Sequence, residues 1–456
     1  MQSTDVKRGQ FTSKIGIILA SAGSAVGLGN IWRFPYETGE NGGAAFILIY
    51  IACVILIGAP IMISEFVIGR RGKANTSGAF RSIAPGTPWY MVGMLGVLTG
   101  IIILGYYTVV AGWTLEYVVQ AAIGGFTGKS PIEFQSSFIE FSTHPWRPLV
   151  WLGVFMFLTH YIVVSGVEKG IERYSKIMMP GLLVIMLVLV GCSVSLPGAS
   201  KGLEFLLSPD FSKVDGKVLM NAMGQAFFSL SIGMGCLCTY SSYFKRDVNL
   251  ARTAFSVVSL DTLVAILAGL IIFPAAFSVN IQPDMGPSLI FVTLPNVFQQ
   301  AFGSMPVLSW VFSVMFYLLL SVAALTSTIS LHEVVTAYIK EEFKISRKKA
   351  AWIVTTFCLG LGVIASLSLG AWEGASLFGM SFFDFSDYIT TKIMMPIGGM
   401  LISIFVGWYM DRKDLRDEMM SSGELKKSFF RIFAFVLKYI VPLCIAILFI
   451  NGMGWI

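Results

Sequence analysis

The chain has 456 residues, of which 55% are hydrophobic and only 13% are charged. Soluble domains carry about 25% charged residues, so a water-soluble fold could not cover this much apolar surface. The composition therefore excludes a set of soluble domains and indicates an integral membrane protein. The net charge of +6 does not indicate nucleic-acid binding, because the basic residues concentrate in the connections between apolar segments.

Eleven apolar segments are each long enough to cross a bilayer, which takes about 20 residues of helix. In chain order these predicted spans 1 to 11 cover 12–38, 42–68, 89–124, 149–167, 177–199, 218–244, 253–279, 306–339, 350–371, 374–410 and 430–455. With a cytoplasmic N-terminus, 24 Lys and Arg residues fall in inner connections and five in outer ones. This asymmetry predicts a multi-pass protein with its N-terminus inside and its C-terminus outside.

Two spans contain glycine-rich interruptions at corresponding places. Span 1 carries the interruption at 22–30, and span 6 carries one at 229–235. Glycine lowers the cost of leaving helical geometry, and small polar residues satisfy the freed backbone groups. Interrupted helices that open two successive sets of five predict a 5+5 inverted-repeat transporter with its binding site at the breaks. Close helix packing by small residues is the alternative, and the flanking Asn30, Ser229 and Ser231 favour a site.

The predicted class is thus an all-α integral membrane protein of about 11 transmembrane helices. Its units are a first repeat at 1–200, an inverted second repeat at 201–427 and an additional helix at 428–456. Nothing in the sequence resembles a phosphate-binding loop, so ATP is not expected as a partner. A catalytic constellation is also missing, so an enzyme is not expected.

Nearly the whole chain resembles the neurotransmitter:sodium symporters, in the manner of a bacterial member. The segments that carry the resemblance are GLGNIWRFP at 27–35, ENGG at 40–43, FFSLS at 227–231, AALTS at 323–327 and SRKK at 346–349. Many members have twelve spans, and this chain lacks the last. The resemblance implies transport of a small substrate together with sodium, with a core in spans 1 to 10.

The resemblance implies two sodium sites made of oxygen ligands. The first would use the Ala25 carbonyl, Asn30, Ser229, Asp261 and the substrate carboxylate, and the second would use the carbonyls of Gly23, Val26 and Ala323 with Thr326 and Ser327. The alternative for Thr326 and Ser327 is hydrogen bonding between helices. Many relatives carry Asn at position 261, with chloride or a Glu one turn later, where this chain has Ala265. We hypothesise that Asp261 supplies the missing negative charge, so that transport needs no chloride; a protonated Asp261 is the alternative.

The substrate prediction starts from Gly27. Family members that carry amines have Asp at the matching position, so a substrate here should bring its own carboxylate. Amides near the start of the outer half-helix would face that group. The predicted contacts are Ser24, Ala25, Gly27, Leu28, Gly29, Tyr107 and Ser231, with a side-chain pocket of Ile103, Tyr107, Phe228, Met234, Ser327 and Leu331. This apolar wall predicts hydrophobic or aromatic L-amino acids; an ordinary core role for Phe228 and Met234 is the alternative.

The resemblance also implies two gates. The outer gate would join Arg33 and Asp387 through water, above Phe228 and Tyr107, with Asp384 as the alternative acid. Snorkelling of Arg33 to the interface is the competing reading. The inner gate would pair Arg8 with Glu341 and wedge Phe11 against the core.

The sequence therefore predicts a sodium-coupled symporter in a bacterial plasma membrane that imports hydrophobic or aromatic L-amino acids by alternating access. Its partners would be two sodium ions, the amino acid and the lipid bilayer. Two alternatives stay open at this point. One is proton coupling through Glu65 or Asp261, and the other is a membrane receptor or channel built on the same fold.

Overall fold

The structure, a computed structural model, describes residues 9–281, 288–302, 305–420 and 427–453. Helices account for nearly all of the regular structure. They are α1 (Lys14–Ala25), α2 (Gly29–Glu40), α3 (Ala44–Gly72), α4 (Thr76–Ile83), α5 (Tyr90–Ala122), α6 (Pro131–Thr143), α7 (Arg147–Val164), α8 (Val167–Val194), α9 (Ala199–Leu207), α10 (Gly216–Ser229), α11 (Cys236–Ser241), α12 (Leu250–Ser278), α13 (Leu289–Phe302), α14 (Pro306–Glu342), α15 (Arg347–Leu367), α16 (Phe382–Tyr409), α17 (Arg412–Met420) and α18 (Ser428–Gly452).

Within the described ranges, nine helices are long and apolar enough to cross a membrane. The pair α1 and α2 adds a tenth span across a bend of 58°. The shorter helices α10 and α11, on either side of 230–235, cover predicted span 6. The all-α membrane class and the breaks in spans 1 and 6 agree with the sequence prediction.

The second break is stabilised by a glutamate from a neighbouring helix. Ser231, Gly233 and Gly235 have φ values of 53°, 80° and 75°, a left-handed backbone that glycine adopts without strain. The Glu65 carboxylate of α3 accepts hydrogen bonds from the N–H groups of Gly233 (2.8 Å) and Cys238 (3.2 Å). Because no water reaches the apolar core of a membrane, such bonds are what permits an unwound segment at this depth.

The two interrupted spans meet long helices at the centre of the bundle. α14 packs against α5, α7, α8 and α15, and α1 packs against α8, α12 and α14. Ala22, Val26 and Leu28 at the first break are fully buried, as is Leu230 at the second. The breaks therefore lie inside the protein rather than against lipid, which is the condition for irregular backbone at membrane depth.

Two predicted boundaries differ clearly from the structure. Span 5 begins at Val167 rather than 177, because the charged turn before 177 is helical and its Glu172 is buried by bonds to the N-terminal segment. Span 10 begins at Phe382 rather than 374. The apolar stretch before it turns back on itself at Phe378 and Gly379, both with positive φ.

Four helices outside the spans, α4, α6, α9 and α17, were not expected from the sequence. α6 begins with a reciprocal pair of bonds, in which Ser130 caps the N–H of Glu133 and Glu133 caps the N–H of Ser130. Asn75 caps α4 in a similar way by accepting from the N–H of Gly78. Short amphipathic helices of this kind carry too little apolar sequence for a search that looks for spans.

Candidate functional site

A cavity lies between the two broken helices and the middle of α5 and α14. Its lining residues are Ser24, Ala25, Gly27, Gly29, Ile103, Tyr107, Phe228, Ser229, Ser231, Met234, Ser327 and Leu331. Eleven of the twelve predicted substrate contacts are among them. The remaining one, Leu28, is buried beside the cavity and donates its N–H to the Tyr107 hydroxyl (3.0 Å).

Glycines make room for this cavity at the first break. A Cβ atom at Gly27 would lie 2.6 Å from Ser327 Oγ and 3.0 Å from the Tyr107 hydroxyl. A Cβ at Gly29 would lie 2.7 Å from the Phe228 ring. A side chain at either position would require its neighbours to shift, and with glycine at position 27 no acidic side chain enters the cavity there. Any negative charge near Tyr107 has to come from elsewhere.

The side chains predicted for the first sodium site form one buried cluster. Asn30 Nδ2 donates to Ser229 Oγ (3.0 Å) and to Asp261 Oδ1 (2.8 Å), and Ser229 Oγ donates to Asp261 Oδ2 (2.8 Å). Asn30 and Asp261 are fully buried, and Ser229 is nearly so. Ser229 also lines the cavity together with Ala25, so the cluster and the cavity share a wall.

Tyr50 of α3 belongs to the same cluster, and the sequence reading missed it. Its hydroxyl donates to Asp261 Oδ2 (3.2 Å), and its side chain is fully buried. With Asn30 and Ser229, three donors surround this carboxylate. A polar ring tip in the middle of an apolar span is the signal that could have identified Tyr50.

The groups predicted for the second sodium site also lie together, where α1 meets α14. Thr326 Oγ1 lies 2.9 Å from the Ala323 carbonyl and 3.3 Å from the Val26 carbonyl. Ser327 Oγ donates to Val26 O (3.1 Å). A Cβ at Gly23 would lie 3.2 Å from Thr326 Cβ, which places this glycine against the same group. The groups here that could bind an ion are all oxygen atoms, which are the ligands that a hard cation requires.

The outer side of the cavity is covered by Phe228 and Arg33. The Arg33 guanidinium lies over the Phe228 ring, 4.8 Å from its centroid, and its Nε is 3.7 Å from Glu37 Oε1. Asp387 instead accepts a hydrogen bond from the Tyr106 hydroxyl (3.0 Å). In the described part of the chain, Arg33 thus forms its ion pair with Glu37, and a water-mediated link to Asp387 stays a prediction.

Asp384, the alternative outer acid, has a capping role. It sits in the first turn of α16 and accepts a hydrogen bond from Ser381 Oγ (2.7 Å). Ser381 in turn caps the N–H of Asp384 (3.0 Å). Asp387, one turn further along the helix, is bonded to Tyr106, so the choice between the two acids as gate residue stays a prediction.

On the side predicted to be cytoplasmic, Glu341 reaches the N-terminus of α4. Its Oε2 accepts from the backbone N–H of Asn75 (2.5 Å) and lies 3.2 Å from Asn75 Nδ2. Its predicted partner Arg8 lies outside the described residues. Phe11 is 1% exposed and packs edge-on against rings at the end of span 6, namely Tyr240, Tyr243 and Phe244.

Two further contacts on the same predicted side were not expected from the sequence. Glu333 of α14 forms a bidentate pair with Arg347 of α15 and accepts from the Tyr243 hydroxyl (2.7 Å). Glu172 of α8 is 1% exposed, lies 2.6 Å from Lys176 Nζ and accepts four hydrogen bonds from the backbone and side chains of residues 12 and 13. These contacts join α14 to α15 and α8 to the N-terminal segment, whose residues 12 and 13 are far from Glu172 in sequence.

Three comparisons with known proteins point in one direction. The model of the sodium:neurotransmitter symporter family matches residues 8–130 and 132–454. An uncharacterized sodium-dependent transporter of Bacillus subtilis, YhdH, is 40% identical over 446 residues, which cover 98% of each chain. An uncharacterized sodium-dependent transporter of Haemophilus influenzae is 34% identical over 464 residues, 99% of this chain and 100% of the relative.

The fold has a solved counterpart. The crystal structure of MhsT in complex with L-phenylalanine superposes with a TM-score of 0.88 at 43% identity, over 98% of this chain and 100% of that one. The similar proteins are transporters and not enzymes. Their shared properties are sodium dependence and a multi-pass membrane fold.

Proposed function

The chain belongs to the sodium:neurotransmitter symporter family, and from this premise we propose that it imports hydrophobic and aromatic L-amino acids by sodium-coupled symport. Two sodium ions would accompany each substrate, without chloride. Transport would proceed by alternating access, in which spans 1, 2, 6 and 7 rock against spans 3–5 and 8–10. The proposal rests on one observation. A cavity lies where both helix breaks meet, and residues of both oxygen clusters line it.

The shape of the cavity supports an amino-acid substrate. Position 27 is a glycine and supplies no acid that could bind an amine, so the substrate would supply the carboxylate, beside the Tyr107 hydroxyl and the amides of the outer half-helix. Ser231, whose Oγ donates to the Ser24 carbonyl (2.9 Å), marks the opposite side for the ammonium. Ile103 and Met234 contribute an apolar wall for the side chain. The complex of MhsT with L-phenylalanine is consistent with this class.

The hydrogen bonds to Asp261 support independence from chloride. Donors from Asn30, Tyr50 and Ser229 point at its two oxygens, an arrangement that suits an ionised carboxylate. An ionised Asp261 would place a fixed negative charge beside the first sodium ion. The same donors oppose a role of Asp261 as a proton carrier, because they stabilise its ionised form. The backbone N–H groups that bind the Glu65 carboxylate oppose such a role of Glu65 for the same reason.

The cellular setting follows from the charge asymmetry of the connections. We place the protein in the plasma membrane, with the N-terminus in the cytoplasm and the C-terminus outside. In this orientation Arg33 and Asp387 face the exterior, while Glu333, Arg347 and Glu341 face the interior. Sodium entering down its gradient would then carry the amino acid inward.

Uptake of radiolabelled Phe into proteoliposomes tests the proposal when sodium, proton and chloride gradients are varied one at a time. We expect accumulation that requires an inward sodium gradient and collapses with a sodium ionophore, while a proton gradient alone gives none. Accumulation without sodium would overturn the proposal. Binding of Phe without accumulation would instead indicate a receptor.

The substrate pocket has its own test at Met234, which lies at the cavity between Gly233 and Gly235. Met is flexible and adapts to different shapes, whereas Phe is rigid and larger. Met234→Phe should therefore reduce uptake of Trp more than uptake of Leu. Equal effects on both substrates would remove Met234 from the pocket.

A further inference from the structure

A polar seam runs along the face of α14 next to the one that lines the cavity. Thr328, His332 and Thr336 follow one another at intervals of four residues and form one stripe. Thr328 Oγ1 lies 2.9 Å from Thr159 Oγ1 of α7, and His332 Nε2 lies 2.9 Å from Thr355 Oγ1 of α15. The seam therefore joins α14 to two neighbouring helices inside the membrane.

Thr355 bridges two histidines in this seam. Its hydroxyl oxygen lies 2.7 Å from His160 Nδ1 and 2.9 Å from His332 Nε2. At the other end, Thr336 Oγ1 lies 2.9 Å from His332 Nδ1. His332 and Thr336 are fully buried, with Thr355 at 3% and His160 at 5% exposure. Buried polar groups at this depth have to satisfy one another.

Counting protons gives the chain a direction. A hydroxyl has one proton, so Thr355 donates to one ring and accepts from the other. If Thr336 donates to His332 Nδ1, then His332 donates from Nε2 to Thr355, and Thr355 donates to His160 Nδ1. In the reverse order, the Thr336 proton would need another acceptor. Among the described residues His332 is the hydrogen-bond partner of Thr336, so the reverse order leaves a buried donor unpaired.

The seam is coupled to the cavity through the geometry of one helix. Ser327 and Leu331 line the cavity and immediately precede Thr328 and His332. Neighbouring residues on an α-helix are about 100° apart, so the two stripes lie side by side. A rotation of α14 that breaks the seam also turns Ser327 and Leu331 away from the cavity.

We propose that the Thr355 hydroxyl is a positioning group for the substrate cavity, because the chain Thr336–His332–Thr355–His160 fixes the rotation of α14. The inference rests on the proposed function in one respect, since it takes the cavity as the amino-acid site. It assigns Thr355 no contact with the substrate.

The direction of the chain is measurable by NMR, because the protein contains only three histidines. ¹⁵N-histidine labelling in nanodiscs, assigned with His144→Gln and His160→Asn, resolves each ring. We expect His332 to carry its proton on Nε2 and His160 to have an unprotonated Nδ1. A proton on His332 Nδ1 would overturn the proposed chain.

The positioning role is measured by transport. Thr355→Val keeps the shape and removes the hydroxyl, and it should raise KM for Phe about tenfold, or about 1.4 kcal/mol. The Vmax of Thr355→Val per inserted transporter should stay within about twofold of the wild-type value. Thr355→Ser restores the hydroxyl, so its KM and Vmax should both stay within about twofold of wild type. Thr356→Val is the matched control, because Thr356 is the next residue of α15 and is exposed. Equal KM values for Thr355→Val and the control, or an equally impaired Thr355→Ser, would refute the role.

The two measurements fail separately. The NMR experiment needs no substrate. A protein that does not transport Phe would refute the proposed function, whereas the histidine tautomers would still test the hydrogen-bond chain. If Thr355→Val does not insert, Thr336→Val replaces it. Without its donor to Nδ1 the chain loses one end, so KM for Phe should rise as expected for Thr355→Val, and an unchanged KM would count against the positioning role.

Discussion

Both predicted sodium sites adjoin the first helix break, and they differ in chemistry. The first contains the carboxyl group of Asp261, which three hydrogen-bond donors contact and which we propose to be ionised. The second is built from hydroxyls and backbone carbonyls, with Thr326 and Ser327 against Val26 O. A charge in mid-membrane costs several kcal/mol unless it is compensated. We infer that the first site neutralises its cation directly, whereas the second relies on dipoles, so the loss of one group should affect them unequally.

The largest effect is expected at Asp261. Asp261→Ala removes the charge and leaves its donors unpaired, a change that costs about 2–5 kcal/mol when a buried charge pair is cut. Sodium-driven Phe uptake should fall to background, with apparent sodium affinity reduced about 100-fold or more. Titration of uptake against sodium measures this, with Asp247→Ala, at an exposed carboxylate between α11 and α12, as the control. A normal sodium titration would exclude Asp261 from the first site.

A smaller effect is expected at the neutral site. Thr326→Val keeps the side-chain shape and removes one of several oxygen ligands, so apparent sodium affinity should fall about tenfold. The same titration shows it, and Thr356→Val supplies a control for hydroxyl loss at an exposed position. If this variant matched Asp261→Ala, the contrast between a charged and a neutral site would be wrong.

Tyr50 sharpens the comparison further. Tyr50→Phe removes one of the three donors to Asp261 without touching the carboxylate, and a typical hydrogen bond contributes about 1 kcal/mol. We expect a loss of apparent sodium affinity of about fivefold. A loss as large as that of Asp261→Ala would mean that Tyr50 itself binds the ion.

No effect is expected from chloride. Under the proposal that Asp261 provides the negative charge, replacing chloride with gluconate on both sides of the vesicle should leave the rate of uptake unchanged. Asp261→Asn should be tested alongside, because it retains the shape and loses the charge. A collapse of wild-type uptake in gluconate would show that the carboxylate does not replace the anion.

The spans were predictable because each depends on local apolar sequence that lipid can solvate. The predicted boundaries of spans 5 and 10 were wrong, because contacts and turns outside the local hydropathy pattern determine where these helices begin. Glu172 is helical and buried because residues 12 and 13 bind it. The hydropathy of the residues next to Glu172 does not predict this contact. Phe382 begins span 10 because the backbone turns at Phe378 and Gly379, although the preceding residues are apolar.

The residues of the site likewise fall into those that the sequence predicted and those that it did not. Motif resemblance brought Gly27, Asn30 and Ser327 to one place, because these positions lie within short recognisable segments. Tyr50 and Glu333 were missed, because their roles arise from partners on other helices, namely Asp261 and Arg347. Such pairings are properties of packing and need coordinates.

The crowding around Gly27 restricts how this protein could be redesigned. A Cβ at this position would lie 2.6 Å from Ser327 Oγ and 3.0 Å from the Tyr107 hydroxyl. Introducing an acid at position 27 to recruit an amine would therefore require one of these two side chains to move. A conversion of selectivity thus involves positions 327 and 107 as well as position 27.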